Sequence, residues 1–252
     1  MFQDGYFKVI KTGNIIELYQ YEKLNTSGGG ARDQSKRGDG KDKEYNYKNS
    51  QQSRRNHVRQ LATNNFDNRS KFLTLTFNNQ QDFDIRDVKQ CNKHFKQFIQ
   101  RMRYIYGNYF KYLAVIEFQD KNRDGVVHYH VIWDLPYIPI GEIEKIWRAG
   151  FCKINKIENV DNIGAYITKY MTKNLDDQRL CGLKAYQHSK NLVEPVIIKS
   201  WDKEKPFSVF SVMEELEKKS PSYTAMYESE YLGKVVYSQF NDNRKNSDLQ
   251  EK

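Results

Sequence analysis

Residues 112–139 read YLAVIEFQDKNRDGVVHYHVIWDLPYIP, and after a short spacer residues 162–173 read NIGAYITKYMTK. In the first segment, two runs rich in β-branched and aromatic residues, Tyr112–Phe118 and Val126–Trp133, flank a polar loop that ends in glycine. That pattern predicts a hairpin, and Pro136 and Pro139 end its second strand. His128 and His130 stand two apart, so in a strand both imidazoles share one face while Tyr129 points to the other. If the turn is 122–125, Glu117 lies directly opposite His130; a second register puts it opposite His128. In either case the carboxylate shares the histidines' face, at about 5 Å between Cβ atoms. Two imidazoles and a carboxylate with open positions suit a divalent ion that must also bind a substrate oxygen. A His-X-His pair alone arises often in cores; the glutamate across the hairpin favours the metal reading. Asp120 and Asp134 are neighbouring acids able to take the place of Glu117.

The second segment predicts a helix over 162–174, capped by Asp161. At about 100° per residue, Tyr166, Tyr170, Lys169 and Lys173 fall on one arc, beside an apolar arc of Ile163, Ile167 and Met171. Half-buried tyrosines at the edge of a core are common, and taken alone this helix reads as packing. Next to a metal site the pairing of phenols with lysines acquires a chemical use. An ammonium lowers a phenol's pKa and steadies a phosphate, and a phenolate attacks phosphorus to give a covalent intermediate.

Outward from these segments, 2–24 alternate apolar and polar residues around Gly13-Asn14 and predict a small hairpin. Glycine, amide and charge dominate 26–53, which predicts a flexible basic linker. Residues 54–64 predict a short basic helix, and KFLTLTF (71–77) a central strand. Asp84 is the expected cap of a long helix whose Val88, Cys91, Phe95, Phe98, Ile99 and Met102 recur at helical spacing until Gly107 stops it. A short helix over 141–148, a strand over 151–157 and a last core strand near Val196 follow. The order points to an α+β fold, a largely antiparallel sheet flanked by helices. The expected divisions are 1–53 (hairpin and linker), 54–200 (the main domain) and 201–252, an appendage for oligomerisation or packing, between which the sequence does not choose.

A net charge of +9 over 252 residues favours an anionic partner. Eighteen tyrosines supply rings for a core and for stacking on bases. Cys91, Cys152 and Cys181 are far apart and form no CxxC pair, as expected of reduced thiols in a cytoplasmic protein. No stretch approaches the ~20 apolar residues of a membrane span, so no membrane partner is expected.

These residues carry a family likeness. HYH (128–130) resembles the His-hydrophobe-His motif of HUH endonucleases, and YITKYMTK (166–173) resembles their tyrosine motif in its two-tyrosine form, Tyr-x-x-Lys-Tyr-x-x-Lys. That form is seen in rolling-circle initiators of small isometric phages and related plasmids. KFLTLTF is similar to the family's first motif, and the likeness covers roughly 54–200. GNIIELYQYEK and AYQHSKNLVEP are also similar to plasmid replication proteins of this kind. The resemblance implies a sheet flanked by helices and a Mg²⁺ or Mn²⁺ ion held by His128, His130 and Glu117. It implies Tyr166 and Tyr170 as nucleophiles, helped by Lys169 and Lys173, and a substrate of single-stranded or extruded origin DNA. The product is a 5′-phosphotyrosine with a free 3′-OH that primes rolling-circle replication; the ends are later rejoined. With no GxxxxGK[ST] motif present, a separate host helicase is the expected partner. The rival within the class is a relaxase or HUH transposase; from other classes, a non-catalytic DNA-binding module or a metal-dependent hydrolase.

Overall fold

Residues 6–24, 40–157, 175, 177–184, 186–202, 207–229 and 232–242 are described by a computed structural model, with side chains from 51 in the first helix and from 211 in the last. The chain divides into two compact units, 43–194 and the pair of segments 1–42 and 195–252. Each unit has a five-stranded sheet in which every strand pair is antiparallel, so the fold is α+β with two sheets where the sequence predicted one.

In the unit 43–194, strands β3 (Lys71–Phe77), β4 (Tyr112–Gln119), β5 (Val126–Trp133), β6 (Gly150–Lys156) and β7 (Tyr186–His188) take the order β6-β3-β5-β4-β7. Strand β5 is the centre, and KFLTLTF is an interior strand beside it. Period-two alternation sorts each strand's side chains. Leu73, Leu75, Tyr129 and Val131 are buried on one face, toward helix α2 (Val88–Tyr106) and helix α4 (Ile140–Trp147). Tyr129 stacks on Phe95 with centroids 4.4 Å apart, and its hydroxyl donates to Asn92 Oδ1 at 2.8 Å. Trp147 packs edge-on against Phe98 and donates its indole N–H to the Thr76 carbonyl at 3.1 Å. Each such aromatic, fully buried, contributes about 1.5–3 kcal/mol of transfer free energy. Arg101 bonds the carbonyls of Ile146 and Trp147 at 2.7 and 3.1 Å, satisfying acceptors that the end of α4 leaves open.

Three local expectations change. The cap of α2 is Asp87, whose carboxylate accepts from the Lys89 N–H; Asp84 closes a turn one step earlier by accepting from Arg86 N–H at 2.9 Å. Helix α1 spans Gly40–Asn65, so it begins inside the stretch expected to be linker. Its Val58, Leu61 and Ala62 join the core, which explains why a polar sequence holds a helix here. The strand near Val196 forms as β8 (Val196–Lys199), but at the edge of the other sheet, with Val196 and Ile197 exposed.

In the other unit, the predicted hairpin forms as β1 (Tyr6–Thr12) and β2 (Ile15–Tyr21), closed by Gly13 at φ 54°. Strands β9 (Tyr223–Ser229) and β10 (Gly233–Asn241) complete the order β8-β1-β2-β10-β9. Helix α5 (Phe207–Glu217) buries Val212, Met213 and Leu216 against Val9, Ile16, Leu18 and Phe240. Among the described residues, no helix is long and apolar enough to cross a membrane.

Candidate active site

The site lies on the face of the β3–β5–β4 sheet opposite α2. Its position follows from the loop between β4 and β5. Asp120–Arg123 make one helical turn (α3), then Asp124 takes a left-handed conformation at φ 51° and Gly125 follows at φ 79°. The loop therefore runs from Gln119 to Val126 rather than over 122–125. Of the two registers open to the sequence, the pairing is Glu117 opposite His128, with Val115 opposite His130. Thr76 and Thr74 flank His128 and His130 on the other side, from β3.

Glu117 still reaches His130, diagonally: Oε2 lies 2.5 Å from Nε2. The other ring nitrogen, Nδ1, lies 3.2 Å from Thr74 Oγ1. Phe72 stacks on the same ring at 5.5 Å, so the imidazole is held at both nitrogens and on one side. A hydroxyl both donates and accepts. Thr74 thus serves His130 in either tautomer, including the one in which Nδ1 carries the proton and Nε2 keeps a lone pair for an ion.

His128 is different. It is 5% exposed, and its Nε2 is buried without a hydrogen-bond partner among the described residues. Burial, then the neighbouring His130 and Arg123, push its pKa down to about 4, against the opposing pull of Glu117. The ring is therefore neutral at pH 7 and keeps a lone pair. Leaving a buried nitrogen unpaired costs about 1–3 kcal/mol, which a fold does not keep without use. A neutral imidazole with a spare nitrogen, beside a second imidazole and a carboxylate, is a donor set that fits a divalent ion.

The set is not closed into a ready cage. Among the described residues, no three His, Cys, Asp or Glu side chains are gathered as a metal-holding group. In this arrangement the His130 nitrogen and the Glu117 oxygen that an ion would use are bonded to each other. The two other acids are engaged elsewhere. Asp120 forms a two-pronged pair with Arg179 at 2.7 and 3.0 Å, and Asp134 accepts from the Lys111 N–H at 2.7 Å. Glu117 is the carboxylate within reach of the histidines.

Two neighbours of the site were not foreseen. Arg123 donates to the Phe77 carbonyl at 2.8 Å and to Asn79 Oδ1 at 2.5 Å, fixing a guanidinium near His128. Arg179 lies 3.7 Å over the Phe118 ring and bonds Asp177 as well as Asp120. No local sequence pattern marks either, because each acts through a fold contact. The thiols of Cys91 and Cys152 are buried and pushed up to about 12 by burial, so they are inert; Cys181 is exposed. The tyrosine helix, with Tyr166, Lys169, Tyr170 and Lys173, lies outside the described residues.

Neither the comparison with curated proteins nor that with solved structures gave a match. Residues 70–175 match a family model, that of the replication-associated proteins of the ORF2 type. The match begins at β3 and spans Glu117, His128, His130 and both tyrosines. Covering less than half of the chain, it supports the reading of this protein as a replication initiator.

Proposed function

We propose that this replication initiator is an HUH endonuclease of the two-tyrosine type, which nicks single-stranded or extruded origin DNA and rejoins the ends. The observation that carries the reading is the buried, unpartnered Nε2 of His128 beside the His130–Glu117 pair, inside the segment that matches the replication-associated family. His128, His130 and Glu117 would hold Mg²⁺ or Mn²⁺, with Thr74 orienting the His130 ring. The bound ion supplies Lewis-acid polarisation of the scissile phosphate.

Tyr166 or Tyr170 is the nucleophile. Its phenol gives up a proton, its oxygen bonds to phosphorus, and the P–O3′ bond breaks in line. The departing O3′ takes a proton and becomes the 3′-OH that primes synthesis, while the 5′-phosphate stays on the tyrosine. Lys169 and Lys173 favour the phenolate and steady the phosphate charge. Because the phosphotyrosine conserves the phosphodiester's energy, attack by a later 3′-OH closes the strand without ATP.

The test is incubation of the full chain with single-stranded DNA from its own replicon and Mn²⁺, followed by a denaturing gel. A protein–DNA adduct is expected in wild type, lost in the Tyr166→Phe/Tyr170→Phe double variant and in His128→Ala. Cleavage without an adduct would instead establish a hydrolase. Binding without cleavage across all fragments would leave a DNA-binding module.

A further inference from the structure

The sheet of the unit formed by 1–42 and 195–252 carries a feature that nicking does not use. Helix α5 covers one of its faces. On the other, strand alternation brings six rings into one array. Trp201 lies 6.4 Å from Tyr6 and 6.0 Å from Tyr21, both edge-on. Tyr21 stacks parallel to Tyr19 at 6.2 Å, Tyr19 meets Tyr237 at 4.9 Å, and Tyr237 meets Tyr223 at 6.1 Å. The array crosses β1, β2, β10 and β9 without a break.

Two cations join it. Lys8 and Lys199 are direct partners across β1 and β8. Lys8 Nζ lies 5.5 Å over the Tyr19 ring and Lys199 Nζ 5.9 Å over Trp201. Among the described residues of this face, the carboxylate is that of Glu17, fully buried and accepting from the Tyr237 hydroxyl at 2.9 Å. The exposed part of the face is therefore aromatic and cationic. At the end near the Gly13 turn, Ile10 and Ile15 are buried as core residues should be. Tyr6, Tyr223 and Tyr227 are not: they are 39%, 58% and 49% exposed.

Rings that served only to fill a core would not carry ammonium groups over them and would not open to water. Rings with cations and no exposed acid match a polyanion whose flat bases are unpaired. Every base offers a π-face to a tyrosine or tryptophan, and each phosphate offers a charge to a lysine. A duplex keeps its bases stacked inside and would leave the rings unused.

We propose that this face binds single-stranded DNA, with bases stacking on Tyr6, Trp201 and Tyr223 and phosphates held by Lys8 and Lys199. It is a site in the other unit from His128 and stands whether or not the chain nicks DNA. It would hold unpaired strand independently of the scissile phosphate.

The test uses the full chain in chelator, so that no cleavage occurs. Oligothymidylate carrying 5-iodouracil is bound, irradiated, and its crosslinks mapped, while anisotropy gives affinities for wild type, Tyr223→Ala and Lys199→Glu. Both substitutions are at exposed positions, and thermal melting checks that each variant is folded. Crosslinks at Trp201, Tyr6 or Tyr223 are expected. Affinity should fall about five- to a hundredfold for Tyr223→Ala, with a shallower salt dependence for Lys199→Glu. Adduct formation at saturating DNA should match wild type in both variants, which separates this site from the nicking centre. Crosslinks confined to 43–194, unchanged affinity in both folded variants, or equal affinity for duplex would overturn the proposal. So would Trp201 fluorescence that neither DNA nor acrylamide quenches, since the chain itself would then cover the face.

Discussion

The two sheets of this protein share strand number and antiparallel pairing, yet break the rule of burial in opposite directions. The sheet of 43–194 hides polar groups where apolar ones would pack: Thr74, Glu117, His128 and His130 sit within an otherwise apolar layer. The sheet of the other unit exposes large rings where polar groups would be solvated. A buried nitrogen without a partner costs stability and points to chemistry; exposed rings cost little and point to contact. The same strand alternation, in one case inverted toward the inside and in the other toward the outside, marks two kinds of site.

The largest effect expected on the buried side is from His128→Ala. Mn²⁺ affinity, measured by calorimetry, should fall by more than about a hundredfold, since removing a ligand must exceed the ten- to hundredfold cost of losing an outer partner. Unchanged affinity would show that the orphan nitrogen serves something else.

Gly150→Ala comes next. At φ 151° the added Cβ would run into the Thr76 carbonyl and Asn78 N, both backbone groups that have little room to give. The close approach of β6 to the end of β3 should be lost, with about 3 kcal/mol of unfolding free energy in guanidinium titrations. A neutral result would mean that β6 starts elsewhere.

The pH dependence of stability is smaller. The unfolded ring titrates near the ordinary value of 6.5, the folded one near 4. Below pH 6.5 the unfolded chain therefore takes up a proton that the folded chain refuses. Stability should fall as pH drops from about 6.5 to about 4, by on the order of 2 kcal/mol, and His128→Leu should flatten that slope.

Thr74→Val keeps the volume and removes the partner of His130 Nδ1. It is expected to lower Mn²⁺ affinity about tenfold while leaving the melting temperature within a few degrees of wild type. Thr74→Ser, which keeps the hydroxyl, should restore most of it. Smallest of all, His128→Leu should raise stability by about 1 kcal/mol at neutral pH, because an apolar group of similar size removes the unpaired nitrogen. Stabilisation with loss of metal binding would separate what the residue costs from what it does.

Much of this was legible in the chain. His128-Tyr129-His130 needed only the two-residue period of a strand, and Tyr129 lies on the opposite, α2-facing side as that period requires. The helical spacing from Val88 to Met102 is the buried stripe of α2. Register was not legible, because it depends on loop conformation: one helical turn and a left-handed Asp124 decide it, and several loop forms suit DKNRDG equally. Thr74 was in view as a strand residue, but its bond to His130 comes from the pairing of β3 with β5 across 56 residues. Polar residues 40–53 carry no helical signal, since α1 is held by packing of its later turns. The second sheet was missed for a similar reason. No local pattern says that β2 pairs with β10.

That pairing has a consequence in time. As the chain leaves the ribosome, the β1–β2 hairpin appears first, yet its neighbours on both sides, β8 and β10, are among the last strands made. A lone hairpin is marginal in water, and its open edges invite pairing with other chains. Throughout the synthesis of 43–194, which can collapse on contacts of its own, the hairpin waits with both edges bare. A chain interrupted before Gly233 would have the residues proposed for nicking but not a finished second sheet. Such fragments should be the ones that aggregate or are degraded, so the late strand acts as a check that the message was read through.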